Sequence, residues 1–512
     1  MNQPNQEFEL MTKPESSLNQ DACEFPGAQR LVTELWAGLQ GSPKALSRLQ
    51  FSGPGEMNSP FPVLDFAGAA FGVAGLAVSE LMRAADLGSP RVTVDRRQSA
   101  TWFDIPLAPS RFLDRADQHG IHQRWMAEFR TADDRWIRVQ AMYPTLRSRM
   151  LLALELPETA GPDDVAEAVR KLPADAAEDR LVSGGAAVAV ARTRLEWEHH
   201  PQGVAVAAEP IAAITPTLTD GSTWAPTPGR PLLGIRVLDM SRVVAAPMAT
   251  RFLAALGAQV LRIDGPSSDE TLFGISDVML GKRWAVLDAR TRSGRERLHA
   301  LVASADVMVH GYRPGAMESL GLDEATRSSL RPGLVDVTLN AYGWSGPWQH
   351  RRGFDTLVQY STGIADEVSR WAAEAPEQRV PINALGHLVD ASRPRHLPVE
   401  ALDFGTGYLL AAAAVLGLAR RLNGGVGSVT RMSLARTSRL LIDHVTDPKD
   451  PTFTLPDSDA LLHDRIYEMN GRPTRRLKFP VSIEDNPLFW DRPAEAAGSS
   501  SPVWADAVWG SS

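Results

Sequence analysis

The residues of this sequence best suited to chemistry are two aspartates that each open a long apolar segment. Asp403 begins the run DFGTG, and apolar residues follow it up to Arg420 and Arg421. Asp65 begins the similar run DFAGA, which leads into an apolar segment ending near Arg83. A carboxylate at such a position can serve as a nucleophile in covalent catalysis. Sequence context alone favours a simpler role, in which the aspartate caps the helix that follows it.

Residues 234–264 provide a test for a dinucleotide site, because they predict a strand, a helix and a second strand ending at Asp264. The turn after the first strand reads SRVVAAP over residues 241–247. Without glycines it cannot bring the backbone as close to a pyrophosphate as the G-x-G-x-x-G pattern does. The glycines within residues 424–427 follow a helix and indicate a helix end and a turn. The sequence therefore disfavours NAD.

The cysteine and histidine content predicts no metal site. Cys23 is the only cysteine, so an intrachain disulfide and a cysteine metal cluster are both excluded, and a reducing, cytoplasmic compartment is expected. The histidines lack the spacing of metal ligands and are interpreted as surface or packing residues, namely His310, His350, His387 and His396.

Length and composition indicate a folded protein of two or three domains, since the chain has 512 residues, 44% of them hydrophobic and 22% charged. The net charge of −8 argues against nucleic acid as the main partner. Arginine heavily outnumbers lysine, and guanidinium groups can bind the phosphates of a small ligand in bidentate fashion. Residues 1–19 lack the pattern of a signal peptide. The longest apolar run, residues 408–419, is shorter than the roughly 20 residues of a membrane span, so no span is expected.

The predicted fold class is α/β, with a Rossmann-like parallel-sheet domain and a smaller α+β domain. In the larger part, β-rich runs alternate with helical segments, with strands at 234–240, 259–264, 285–288, 306–310 and 334–339 and helices at 247–256 and 294–303. The earlier part predicts helices near 71–84, 148–156 and 163–172 and a strand pair within 125–142. Residues 215–231, which read TPTLTDGSTWAPTPGRP, predict a linker or crossing loop.

The two aspartate segments resemble each other beyond their first residues. Each apolar helix is followed by a turn with glycine and then a Val-Thr pair, at residues 92–93 in the first case and 429–430 in the second. One interpretation is an internal duplication. The other is that two alanine-rich helices are alike by composition alone.

Four blocks from residue 231 to about residue 440 resemble class III CoA-transferases, the CaiB/BaiF group that includes formyl-CoA transferase and α-methylacyl-CoA racemase. The blocks read PLLGIRVLDMSRVVAAPMATRFLAALGAQVLRID, GKRWAVLDARTRSGRERLHALVASADVMVHGYRPGAMESLGL, LVDVTLNAYGWSGPWQHRRGFDTLVQYSTGI and ALDFGTGYLLAAAAVLGLARR. Residues 125–214 resemble the smaller domain of that family, which ordinarily follows the large one. The resemblance therefore implies an inverted domain order, in a permuted or partly duplicated chain.

On this basis the chain divides into six parts. These are a disordered tail (1–25), a degenerate copy of the aspartate-bearing segment (26–110), a small α+β domain (111–214), the linker (215–231), a Rossmann-like domain that binds CoA and carries the catalytic residue (232–445), and a C-terminal return segment (446–512).

The resemblance implies that Asp403 is the catalytic nucleophile. In the family, this aspartate attacks the donor thioester to give a mixed anhydride, which the CoA thiolate converts to an aspartyl thioester that passes to the acceptor carboxylate. Such a covalent step divides one difficult exchange into two easier ones. Gly405 and Gly407 are expected to let backbone N–H groups approach the oxyanion. Asp65 is not expected to act, since Ala67 and Ala69 stand in place of these glycines.

The same resemblance assigns residues that hold coenzyme A, the only cofactor-like molecule expected. All but the last fall at the carboxyl ends of strands, where open α/β sheets bind ligands. They are Val243, Val244, Arg262, Leu287, Arg290, Tyr312, Arg313 and Arg352. For any single arginine, a solvated surface charge is the alternative.

Two alternatives to a transferase stay open. Phe354 stands where the racemase branch has a histidine before an aspartate, so an acyl-CoA racemase lacks one base, and Asp355 is interpreted as structural. The long, irregular stretch 363–402 indicates either a substrate lid or a non-catalytic protein that binds CoA or a partner. Small carboxylic acids and acyl-CoA are the expected partners, and a homodimer is considered.

Overall fold

The computed structural model describes residues 24–103, 110–112, 125–218, 224–267, 276–375, 379, 393–446, 448, 458–469 and 472–505. Most of the predicted tail, Cys23, His387 and the middle of the irregular stretch lie outside these residues.

The strands are β1 Leu49–Ser52, β2 Val92–Asp95, β3 Ser110–Phe112, β4 Met126–Arg130, β5 Trp136–Gln140, β6 Val188–Val190, β7 Ala213–Leu218, β8 Arg236–Met240, β9 Gln259–Asp264, β10 Lys282–Val286, β11 Val307–His310, β12 Val335–Asn340, β13 Val426–Ser433, β14 Leu462–Met469, β15 Arg472–Leu477 and β16 Val481–Ile483.

The helices are α1 Pro26–Gly38, α2 Val63–Ala84, α3 Arg96–Thr101, α4 Pro144–Ala153, α5 Pro162–Val169, α6 Ala174–Ser183, α7 Arg194–His199, α8 Pro201–Ala208, α9 Ala245–Ala255, α10 Arg292–Ala303, α11 Ala316–Ser319, α12 Glu324–Leu330, α13 Asp355–Thr362, α14 Ile364–Glu374, α15 Ala401–Gly424, α16 Leu434–Asp443 and α17 Ser458–Leu461.

The largest sheet has seven strands in the order β10-β9-β8-β11-β12-β13-β7, and all neighbours are parallel except β7. Its central strands β11 and β12 are buried along their whole length because helices cover both faces, as their nearly unbroken apolar runs predict. The prediction of an α/β fold with a parallel sheet is confirmed. The chain winds outward from β8 to β10 and then returns to β11 on the other side of β8. The switch point of the sheet therefore lies between β8 and β11.

The prediction of a linker at 215–231 is wrong in its first residues. Residues 213–218 form β7, which pairs antiparallel with β13 at the edge of the sheet and places Pro216 opposite Ser428. The proline and threonine content of this stretch is typical of a loop. An edge strand nevertheless tolerates proline, because the backbone groups on its outer side do not pair with another strand.

The core is built around α2 and α15, which pack against each other. The rings of Phe71 and Tyr408 are 3.9 Å apart between these helices. By length and composition both helices could cross a membrane, yet 94% and 100% of their most apolar 18-residue stretches are buried inside the protein. Central helices of a folded core show the same burial.

The elements around α2 repeat the order found around α15. β1 pairs parallel with β2 across α2, as β12 pairs parallel with β13 across α15. The side chain of Asp95 accepts the first hydrogen bond of α3, and that of Ser433 does the same for α16. The similarity between the two segments thus extends to strand pairing, while their duplication stays a prediction.

The small domain contains the antiparallel sheet β4-β5-β6 and helices α4 to α6, with an apolar core of its own. Arg351 ties it to the large domain, donating to Glu178 at 2.7 Å and to the carbonyl of Val188 at 2.8 Å. The C-terminal segment contacts both the N-terminal segment and the large domain. β16 pairs with β2 of the N-terminal segment, and the indole of Trp490 donates to the carbonyl of Arg251 in the large domain at 2.9 Å.

Candidate active site

Asp403 lies in the first turn of α15, next to the start of α13. It is the third residue of its helix and only 7% exposed, so it does not occupy the capping position, which belongs to Glu400. Asp355, the first residue of α13, accepts a hydrogen bond from the backbone N–H of Asp403 at 2.8 Å. Two helix N-termini, each with a partial positive charge, therefore meet at two carboxylates.

Both carboxyl groups are perturbed by their surroundings. Burial raises the pKa of Asp403 well above its ordinary value, and the charge of Asp355 raises it further. Burial also raises the pKa of Asp355 to about 6, although hydrogen bonds from Gln359 and from the backbone of Leu402 and Asp403 lower it. Because two buried carboxylates resist ionising together, the pair retains a proton at mildly acidic pH.

The interpretation of Asp355 as purely structural missed its contact with Asp403. No local pattern in the sequence indicates a contact between these two residues, which are 48 positions apart. The carboxylate of Asp355 is held by the amide of Gln359, whose other end accepts the backbone N–H of Leu397 at 2.7 Å. Asp355 is therefore fixed on one side and positions Asp403 on the other.

Gly405 and Gly407 do not form the expected oxyanion loop. Both lie inside α15, where helical hydrogen bonds engage their backbone N–H groups. A Cβ at Gly405 would lie 2.2 Å from the ring of Phe66 in α2, and a Cβ at Gly407 would lie 2.5 Å from the carbonyl oxygen of Ala245 in α9. These glycines therefore allow close packing of three helices. The contact at Ala245 also brings α15 against the turn that follows β8.

The loops after β8 and β11 meet at the switch point, where Met240 and His310 are register partners. Val243 has a φ of 66°, a left-handed conformation that is unusual for a β-branched residue. Strain of this kind persists only where the surrounding structure enforces it, and functional sites are such places. Val244 follows as the buried residue before α9, and Tyr312 packs against the neighbouring apolar core.

Four arginines share this edge of the sheet. Arg242 follows β8, Arg313 follows β11, Arg352 precedes α13, and Arg149 comes from α4 of the small domain. Burial lowers the pKa of Arg352 to about 10, and the charges of Arg313, Arg149 and Arg242 lower it further. Burial and Arg149 likewise lower the pKa of Arg313. In the described part of the chain, no carboxylate pairs with Arg149, Arg313 or Arg352.

Sequence reasoning selected Arg313 and Arg352 but missed Arg149 and Arg242. Arg242 lies within the quoted turn SRVVAAP, so its position after β8 was a usable signal. Arg149 carries no such signal, because only the packing of the small domain brings it to the large one.

Three other predicted ligands of CoA lie apart from this cluster. Arg262 is 1% exposed, donates to Asp264 at 2.9 Å and stacks on Trp284, so its charge is already neutralised. Arg290 is exposed and pairs with Asp288 at 2.8 Å. Leu287 packs against the core beside β10. The arrangement gives no support to a phosphate contact by either arginine.

The histidines within the described residues form no group with other metal-ligating side chains. His310 is buried and its Nε2 lies 3.2 Å from a carboxylate oxygen of Asp336, while its Nδ1 lies 3.2 Å from the hydroxyl of Thr338. His396 is hydrogen-bonded through its Nδ1 to the carbonyl of Leu397 at 2.7 Å. These contacts agree with packing roles.

Residues 232–447 match the family model described as CoA-transferase family III. The chain is 31% identical over 235 residues to an acetyl-coenzyme A transferase of Hypoxylon pulicicidum, an alignment that covers 44% of this chain and 36% of the relative. It is 29% identical to a probable fatty acyl-CoA transferase of Mycobacterium tuberculosis, covering 40% of this chain and 51% of the relative. The chain thus spans about a third to a half of the length of these relatives.

A longer alignment joins the chain to an acyl-CoA transferase of Gibberella moniliformis, with 28% identity over 418 residues, 76% of this chain and 71% of the relative. An alignment of that extent must include residues before 232. Among solved structures, a hypothetical protein of Mycobacterium tuberculosis is similar with a TM-score of 0.34 and 29% identity, covering 42% of this chain and 60% of that one. The inverted domain order stays a prediction. The similarity to CoA-transferase family III thus lies in residues 232–447.

Proposed function

We propose that this protein is a CoA-transferase that moves coenzyme A between carboxylic acids, with Asp403 as the nucleophile. The observation that carries the proposal is the buried pair of Asp403 and Asp355, because it costs free energy to ionise two adjacent carboxyl groups at this depth, and perturbed carboxyl groups of this kind are concentrated at functional sites. The arginine cluster, formed by Arg149, Arg242, Arg313 and Arg352, adds positive charge beside the segment that leads into α13, whose first residue is Asp355. Val243, Val244 and Tyr312 line the switch point beside the cluster.

The proposed reaction needs no oxidant, reductant or metal. The ionised Asp403 attacks the carbonyl carbon of the donor thioester, and the C–S bond breaks to leave a mixed anhydride and the CoA thiolate. The thiolate then attacks the aspartyl carbonyl and releases the donor acid, which leaves an aspartyl-CoA thioester. The acceptor carboxylate repeats these two steps in reverse order and regenerates Asp403.

Each protein group has a distinct part in this scheme. Asp355 fixes the backbone at Asp403 through its 2.8 Å hydrogen bond, and so orients the nucleophile. The positive end of α15 stabilises the ionised form of Asp403. Burial opposes that ionisation and keeps the carboxylate poorly solvated, which favours attack by the fraction that is ionised.

A racemase would need a second base at the position of Phe354. That side chain is instead part of an apolar contact, its ring 6.4 Å from the ring of Tyr143. The arrangement therefore favours the transferase.

The test is intact-protein mass spectrometry after incubation with a panel of acyl-CoA thioesters, followed by trapping with hydroxylamine and peptide mapping. A hydroxamate at Asp403 that is absent from the Asp403→Asn variant is the expected result. The Asp65→Asn variant is a matched control, since Asp65 lies in the first turn of an equivalent helix but accepts a hydrogen bond from Arg96 at 2.7 Å. If the protein binds CoA yet gives no adduct with any thioester, it is a binding protein without turnover and the proposal fails.

A further inference from the structure

We propose that a cavity at the amino edge of the seven-stranded sheet binds a small phosphate-bearing anion, at a site separate from the one that contains Asp403. The cavity has a volume of about 170 Å³ and lies where β8, β9 and β10 begin. Its wall combines the turns before these strands with the C-terminal segment. The lining residues on which the argument depends are Arg236, Gln259, Arg283, Asp491, Arg492 and Ala505.

This edge of the sheet is opposite to the switch point. β8 begins at Arg236, in the cavity wall, and ends at Met240, just before the turn that contains Val243. Because β8, β9 and β10 are parallel, all three meet the cavity with their amino ends. A strand as long as β8 extends over about 13 Å, so the cavity and the turn are different sites. Open α/β sheets ordinarily bind ligands at the other edge, so the fold class does not account for this cavity.

Two arginines of the cavity wall have no carboxylate partner among the described residues. Arg236 is half-buried, and its guanidinium carbon lies 5.8 Å from the centre of the Trp504 ring. Arg283 donates to three neutral oxygen atoms of the C-terminal segment, the nearest being the carbonyl oxygen of Val503 at 2.7 Å. Neutral acceptors leave the charge of a guanidinium group in place. The two arginines therefore present uncompensated positive charge.

The other charged residues of the wall are already paired. Arg492 binds Glu495 at 3.3 Å, and Asp491 forms an ion pair with Arg230. These pairs cancel, so the charges of Arg236 and Arg283 determine the field in the cavity. A positive cavity in a protein whose net charge is −8 attracts an anion.

Phosphate fits this cavity in charge and in size. Guanidinium groups bind phosphate oxygens in bidentate geometry, and the two negative charges of a phosphate match the two arginines. The volume of about 170 Å³ is roughly ten times what one water molecule requires, which leaves room for a diphosphate.

The C-terminal segment closes one side of the cavity and gives the experiment a local signal. The amide of Gln259 donates to the carbonyl oxygen of Ala505 and accepts its backbone N–H, each at 3.3 Å. The backbone N–H of Ser500 donates to the carbonyl oxygen of Trp284 in β10 at 3.0 Å. Arg283 holds the residues between them. An anion bound to Arg283 should therefore hold residues 500–505 against the sheet and slow the exchange of these two amide hydrogens.

The experiment titrates inorganic pyrophosphate into the full chain by isothermal titration calorimetry and locates it by hydrogen–deuterium exchange. For Arg236→Gln we expect the pyrophosphate affinity to fall roughly tenfold to hundredfold, which corresponds to losing charge-assisted hydrogen bonds. In wild type, pyrophosphate should slow exchange in peptides that cover residues 500–505. The side chain of Arg236 makes no hydrogen bond or ion pair within the described residues, so the substitution should leave the fold intact.

Arg297→Gln is the matched control, because Arg297 is an exposed arginine on α10. An equal loss of affinity in this variant would show general attraction to surface charge and overturn the site. Absence of pyrophosphate binding, or slower exchange only around Arg313 and Arg352 at the carboxyl edge, would overturn it too. If succinate binds as tightly as pyrophosphate, the assignment to phosphate is wrong. None of these outcomes depends on adduct formation at Asp403, so the site and the transferase proposal are tested separately.

Discussion

Replacing Asp355 by Asn tests whether the buried carboxylate pair has the electrostatics described above. The pKa of Asp355 rises from 3.8 to about 6 on folding. The folded state therefore binds a proton more tightly than the unfolded state, and stability falls as pH rises from about 4 through about 6. A difference of about two pKa units corresponds to about 3 kcal/mol in full, and about half of this is lost between pH 5 and pH 8.

The Asn variant lacks this titration, while Asn can still accept one of the backbone hydrogen bonds. Relative to wild type, its free energy of unfolding should therefore improve by about 1 to 2 kcal/mol at pH 8 compared with pH 5. Urea unfolding of both proteins at the two pH values measures how the free energy of unfolding changes between pH 5 and pH 8 in each. The contributions of unrelated carboxylates are the same in both proteins and are removed when the two changes are subtracted. An identical pH dependence in both proteins would refute the reasoning.

The same substitution also makes a prediction for catalysis. Because the charge of Asp355 raises the pKa of Asp403, its removal should move the acidic limb of the pH profile for adduct formation to lower pH. The rate at the optimum should fall by roughly tenfold to hundredfold, since the backbone of Asp403 loses a charged acceptor. A merely structural residue would reduce the rate without moving the limb.

Three further predictions concern the framework. Gly405→Ala should destabilise the protein by about 1 to 3 kcal/mol in urea unfolding, since the new methyl group meets the Phe66 ring, and Phe66→Leu should recover part of the loss. Asp65→Asn should leave the number of adducts at one per chain by intact mass, because this aspartate is not the nucleophile. Lys282→Met should destabilise the protein by about 3 to 5 kcal/mol. Lys282 is fully buried and donates to Asp239 at 2.8 Å, so the substitution leaves that buried carboxylate without its ion-pair partner. Retention of wild-type stability in Lys282→Met would show that the pair is dispensable.

The sequence by itself determined the class of fold and the position of the candidate nucleophile. The second strand of the large domain was predicted at residues 259–264, and β9 spans Gln259–Asp264. The two agree because a buried strand between a glycine turn and a loop is a local pattern. The helix after Asp403 is equally local, as an apolar run ended by glycine. Such patterns depend on residues within one or two turns, so the order of amino acids is enough to predict them.

Only the tertiary structure decided which charged residues meet at the site. The sequence predicted a CoA contact for Arg262 and none for Arg149, yet Arg262 is buried against Asp264, whereas the charge of Arg149, from another domain, acts on Arg313 and Arg352. Asp355 acquires its raised pKa and its contact with Asp403 from the packing of α13 against α15. The physical reason is that burial and Coulomb interactions act over a few ångströms in space, and those neighbours come from segments far apart in the chain.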